Sequence, residues 1–171
     1  MKTKVLIIDD SLDKIETVET SIIASYGDKV TIDKARSSNA AREKLRKNKY
    51  SMAIIDLCIP VRDSGAPINN EGVNLLHEIL RDNCIHKPDH IFGLTSFTDL
   101  FEQYTAEFDR NLITLLEYSN SNQEWISKIR LKLDEIIDNS LPLWKKHWGK
   151  AVATIGLVSS ILGIIDYFNK S

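Results

Sequence analysis

Five short apolar runs, rich in β-branched residues, recur along the chain, and each is followed by a segment of helical period. The runs are Lys4–Ile8 (KVLII), Val30–Ala35, Met52–Leu57 (MAIIDL), His90–Thr95 (HIFGLT) and Leu112–Leu116. Near-continuous apolar runs of this length suit strands buried on both faces. Between the first two, Leu12, Ile15, Val18, Ile22 and Tyr26 return every three or four positions, as one face of an amphipathic helix does. Ser11 is placed to cap that helix and Gly27 to stop it. Further helical patterns follow at Asn39–Lys47, at Val73, Leu76, Ile79 and Leu80, and at Leu100–Phe108. The last is Ile126, Ile129, Leu133, Ile136 and Ile137. Such alternation dictates parallel strands with helical crossovers packed on both faces. The fold class is therefore α/β, a doubly wound (βα)5 parallel sheet of flavodoxin-like strand order 2-1-3-4-5, with an extra hydrophobic helix at the C-terminus.

In an open sheet of this kind the ligand site lies at the carboxyl ends of the strands. The polar residues that end the strands are Asp9 and Asp10, Asp56, and Thr95 with Ser96. Strands one and three are neighbours in this order, so three carboxylates converge at one sheet edge. They repel one another unless a cation joins them. Oxygen donors of this type suit magnesium. A carboxylate beside such an ion is a competent nucleophile toward phosphorus. An acidic pair after a buried strand also has a plainer use, since acids favour helix N-termini.

Four segments carry a family resemblance: VLIIDDS (5–11), AIIDLCIP (53–60), GVNLLHEI (72–79) and LTS (94–96). Residues 1–139 resemble the receiver domain of two-component response regulators. The resemblance implies Asp56 as phosphoacceptor and Asp9 and Asp10 as magnesium-site acids. It also implies the backbone carbonyl of Cys58 as a further metal ligand and Thr95 as the switch hydroxyl. The implied partner is a histidine kinase or another phosphodonor, or a protein partner. No separate substrate is implied, so the chain is expected not to be an enzyme beyond its own phosphorylation and dephosphorylation.

Two features depart from that pattern. Receivers end the fifth strand with a lysine, usually before proline. Here the segment is ITLLEYS, with Glu117 at the lysine position and Tyr118 after it. A glutamate facing Asp56 would disfavour another anion. Lys128 and Arg130 are the cations available on the fifth helix to compensate. The second departure is the enlarged loop after Asp56. Gly72 stands sixteen positions beyond Asp56 and Gly65 nine, so VRDSGAPINNE (61–71) reads as an insertion of about eight residues, exposed and rich in turn formers. It is either a lid or docking element, or a tolerated surface insertion.

Composition matters most at the C-terminus. The chain has 171 residues and a formal charge of −2, which excludes a strongly basic nucleic-acid binder. Residues 141–171 carry four lysines against one aspartate, a net of +3, and so leave −5 on the preceding 140. The same stretch holds Trp144 and Trp148, two of three tryptophans, and an uncharged run from Ala151 to Ile165. That run would be about 22 Å long as a helix, short of the roughly 20 residues that span a bilayer. Trp148 through Phe168 supplies twenty-one residues if Lys150 and Asp166 reach the interface. Aromatic residues flank both ends, and lysines on the N-terminal side favour a cytoplasmic receiver at the inner face of the membrane.

Residues 140–171 are thus expected to form a tail helix, separate from the 1–139 domain. The tail contacts lipid through 144–168, self-associates, or packs back on its own body. The leading expectation is a signalling switch with this tail as membrane-acting output. The alternative is a degenerate receiver, a protein-interaction module whose tail mediates assembly without membrane insertion. The first residues, Met-Lys-Thr-Lys before a four-residue apolar run, lack a secretory h-region. Cys58 and Cys84 have no partner motif for zinc or a disulfide framework.

Overall fold

The computed structural model describes residues 2–140. Its first compact unit, Met1–Leu133, carries the sheet and the site discussed below. The strands are β1 (Thr3–Ile8), β2 (Val30–Ala35), β3 (Met52–Ile55), β4 (His90–Thr95) and β5 (Thr114–Glu117). The helices are α1 (Leu12–Tyr26), α2 (Ser38–Lys47), α3 (Glu71–Arg81), α4 (Thr98–Arg110) and α5 (Glu124–Ser140). All strand pairs are parallel, in the order β2-β1-β3-β4-β5. The expected topology is the observed one.

The central apolar runs fold as strands because both their faces are covered. Val5 to Ile8, and Met52 to Ile55, are buried without a break. The core continues through Leu45, Leu75, Leu76, Phe108 and Leu115. Ser11 caps α1 as expected, its hydroxyl accepting from the Lys14 amide at 3.4 Å. Gly27 ends that helix at φ 49°, a left-handed conformation that suits glycine.

Three expectations are corrected. The third run leaves the strand after Ile55, because the Asp56 carboxylate accepts from the Cys58 amide and turns the chain. The fifth strand starts at Thr114 rather than Leu112. Leu112 instead adopts φ 56° just beyond α4, with its side chain 96% exposed. Leu12, taken with the apolar face of α1, is 60% exposed, whereas Lys14 on the same helix is buried.

The inserted loop is anchored at several points. Ile59 and Ile68 form an antiparallel bridge at its base. The Ser38 and Asn39 amides donate to the carbonyls of Pro60 and Val61 at 3.0 and 3.1 Å, and Ser37 Oγ donates to Asp63 at 2.5 Å. Residues 61–70 are nevertheless solvent-exposed throughout. The expected tail, residues 140–171, lies outside the described residues except for Ser140, the last residue of α5. Among the described residues no helix is long and apolar enough to cross a membrane.

Candidate functional site

The β1–β3 register puts Ile8 opposite Ile55. Backbone pairing continues one step past both strands. The Asp56 amide donates to the Ile8 carbonyl at 2.8 Å, and the Asp9 amide to the Ala35 carbonyl at 3.1 Å. Asp9 and Asp56 are thereby side by side at the carboxyl edge. With Asp10 they bring three carboxylates together, each offering an oxygen within 4.8 Å of the others. Asp9 and Asp56 are buried, at 3% and 6% exposure.

One oxygen of each buried carboxylate is held by backbone. Asp9 Oδ1 accepts from the Ser11 amide at 2.9 Å, and Asp56 Oδ1 from the Cys58 amide at 3.4 Å. The other oxygens meet a residue that the sequence reading passed over. Lys14 Nζ lies 2.9 Å from Asp9 Oδ2 and 3.2 Å from Asp56 Oδ2, and donates to the Leu94 carbonyl at 3.0 Å. Lys14 is itself 5% exposed. Its ammonium also stands 5.4 Å from the centre of the Tyr118 ring. A signal for it existed in the sequence. A basic residue in the first turn of a helix opposes the helix dipole, so it needs a local anion to justify its place.

Burial dominates the electrostatics. It pushes the Asp56 carboxyl up to about 6, with the Asp9 charge adding to the rise and Lys14 opposing it. The Asp9 carboxyl is raised for the same reason, again against the pull of Lys14. Burial and the neighbouring Asp56 also raise the Cys58 thiol, which keeps it protonated and unreactive.

The remaining expected residues fall at the same edge with differing engagement. Cys58 lines the cleft over the acids, a space of about 440 Å3 that also touches Ser96, Phe97 and Tyr118. Thr95 ends β4, fully buried, and its hydroxyl accepts from the Phe97 amide at 3.2 Å. Glu117 is paired with Thr95 in the β4–β5 register. Its carboxylate accepts from Thr98 Oγ1 at 2.7 Å, and it lies in a separate depression beside α5, not in the acidic cleft.

Neither cation named on α5 serves the pocket. Lys128 pairs with Glu124 one turn away at 3.1 Å, and Arg130 donates to the Ser21 carbonyl on α1 at 3.2 Å. Gly72, not Gly65, is the glycine at the site. A Cβ on Gly72 would lie 1.9 Å from the Asp56 carbonyl oxygen, so only glycine lets α3 start there.

Comparison with known structures places this geometry. The regulatory domain of mrkE from Klebsiella pneumoniae superposes with a TM-score of 0.61 at 18% identity, over 81% of this chain and 100% of that one. The chemotaxis response regulator CheY4 of Vibrio cholerae gives 0.58 at 20%, over 77% and 98%. The fold is that of a response-regulator receiver domain. The response regulator protein TrrA of Thermotoga maritima, solved in complex with Mg(2+)-BeF, gives 0.54 at 21%, over 76% and 97%.

In sequence, the chain is similar to the uncharacterized protein y4jS of Sinorhizobium fredii. The two are 28% identical over 130 residues, 76% of this chain and 32% of the relative, so the match spans about a third of that protein. No protein-family model matches the chain.

Proposed function

We propose that the receiver-like domain is a signalling switch in which Asp56 accepts a phosphoryl group from a histidine kinase or a small phosphodonor. The observation that carries this is the meeting of Asp9, Asp10 and Asp56 at the carboxyl edge, with carboxylate oxygens within 4.8 Å of one another. An all-oxygen donor set of this kind fits magnesium, held by Asp9, Asp10 and Asp56 with the Cys58 carbonyl as a fourth ligand. Bound there, magnesium would offset the charge of the phosphoryl oxygens. That TrrA is solved with Mg(2+)-BeF supports the reading by analogy of fold.

The chain's own groups supply the rest. The Asp56 carboxylate attacks phosphorus, forming a P–O bond as the bond from phosphorus to the donor's leaving atom breaks. The leaving group departs with that electron pair. The Cys58 amide holds Asp56 Oδ1 and so fixes the orientation of the carboxylate. The Thr95 hydroxyl, whose oxygen accepts from the Phe97 amide, keeps its proton to donate to a phosphoryl oxygen, which links the start of α4 to the state of Asp56. The tail at 141–171 is the proposed output, supported by its apolar run and flanking aromatics.

The test is incubation with a small phosphodonor and magnesium, read by intact mass. One added phosphoryl group, lost in Asp56→Ala, is expected. A second reading is a binding module without phosphotransfer. It is favoured by the full engagement of the attacking carboxylate with Lys14, and no adduct from any donor would select it. The membrane role of the tail fails if the full chain and a chain ending near Leu141 partition equally with liposomes.

A further inference from the structure

We infer that Lys14 is a tethered counter-cation standing where a divalent ion would bridge Asp9 and Asp56, so that metal binding and release of Lys14 are one event. The inference rests on the reading of these acids as a metal site, and it adds a gate that belongs to this chain. Its basis is the set of groups that already engage the two buried carboxylates. Asp9 Oδ1 and Asp56 Oδ1 each accept from a backbone amide. Their Oδ2 atoms both face the Lys14 ammonium, at 2.9 and 3.2 Å.

The third donor of the ammonium goes to the Leu94 carbonyl at 3.0 Å. All three of its protons are therefore used, and the group is fixed by three elements: β1, β3 and β4. A lysine carries only three donors, so it cannot hold this place loosely. A divalent ion held by Asp9 and Asp56 would compete for the carboxylate lone pairs that Lys14 engages. It also meets an uncompensated positive charge if Lys14 stays.

Release has a route. Lys14, Asp10, Asp56 and Tyr118 line the same open cleft, and the Tyr118 ring lies 5.4 Å from the ammonium. The departing ammonium can move toward that ring and the exposed Asp13 without disturbing the core. Coupling of this kind acts on both ligands alike: whatever favours the metal expels the lysine, and whatever holds the lysine weakens the metal.

Two measurements test this on the full chain with no phosphodonor, so their outcome is independent of whether Asp56 is ever phosphorylated. The first is titration calorimetry with magnesium alone on wild type, Lys14→Met and Lys14→Arg. Lys14→Met should bind magnesium about tenfold or more tightly than wild type, within the range of ordinary couplings between sites. Lys14→Arg, which keeps a cation in place, should not. Equal or weaker binding by Lys14→Met overturns the proposal.

The second uses wild type only and so survives a misfolded variant. Labelling with an amine-reactive acylating reagent, quantified at Lys14 by peptide mass spectrometry, should be low without metal. It should rise severalfold at saturating magnesium. Labelling of Lys14 that magnesium leaves unchanged overturns the proposal.

Discussion

Gly72 opens α3 directly against the backbone of Asp56. A single added methyl would sit 1.9 Å from the Asp56 carbonyl oxygen and 2.8 Å from the Leu57 Cα, both parts of a chain segment that cannot swing aside. Gly72 also donates its amide to the Leu57 carbonyl at 3.1 Å. The inserted loop thus has a fixed end: whatever its length, it must bring a glycine back to the residue that carries the site.

Gly72→Ala should therefore lower stability by about 2–4 kcal/mol, the upper range of overpacking. Gly93→Ala is the control. Its Cβ would meet the Phe108 and Leu115 side chains at 2.5 and 2.6 Å, and side chains can shift where backbone cannot. It should lose less. Urea denaturation of both variants gives the ranking, and a larger loss at Gly93 would contradict it.

Asp56 gives stability a pH dependence of unusual sign. Its folded carboxyl titrates at about 6, above the ordinary 3.8. Between about pH 4 and pH 6 the folded chain binds this proton more tightly than the unfolded chain does, so the contribution of Asp56 to stability falls as pH rises. In chelator, Asp56→Asn should be more stable than wild type at pH 7.5, by up to about 3 kcal/mol. The difference should shrink toward pH 4. Denaturation at the two pH values checks both sign and trend.

Glu71 has the opposite sign. Burial alone would raise its carboxyl, but hydrogen bonds from Ser38, Asn74 and Arg42 outweigh burial and hold it below the ordinary range. Arg42 lies 3.2 Å from Glu71 and 2.7 Å from Glu78, joining α2 to α3. This stability is present above the unfolded carboxyl pKa and is lost as pH falls through the folded one. Glu71→Gln should cost about 1–2 kcal/mol at pH 7. The gap to wild type should narrow in acid, as chemical denaturation across pH 3–7 would report.

Leu112 holds a left-handed backbone at φ 56° with its side chain almost wholly in water. A branched apolar residue gains nothing there and bears the strain of that region. Leu112→Gly should raise stability by about 0.5–1 kcal/mol, seen as a higher thermal midpoint. No gain would mean that Leu112 makes contacts in solution that the isolated chain does not show.

Much of this was legible in the residues themselves. Periodicity located all five strands and all five helices, because short β-branched runs, continuous in the central strands, and a helix packed on one face leave different repeats. The order of strands one and three then brought Asp9, Asp10 and Asp56 to one edge. The limits of individual strands were less legible. The Asp56 side chain turns the chain by bonding the Cys58 amide, and that competition between side chain and ladder is local geometry, not pattern.

The sequence by itself determined the alternation of strand and helix, and with it a parallel sheet whose acidic carboxyl edge is the candidate site. The reason is that burial periodicity and strand-end residues are properties of the linear chain. Only tertiary structure decided which cation meets those acids. Lys14 is separated from Asp56 by forty-two residues and from the Leu94 carbonyl by eighty. The sequence reading named Lys128 and Arg130, on the fifth helix, instead. Three parallel strands had to align before one ammonium could reach Asp9, Asp56 and Leu94 together; the place of Lys14 in the first turn of α1 calls for an anion but does not say which.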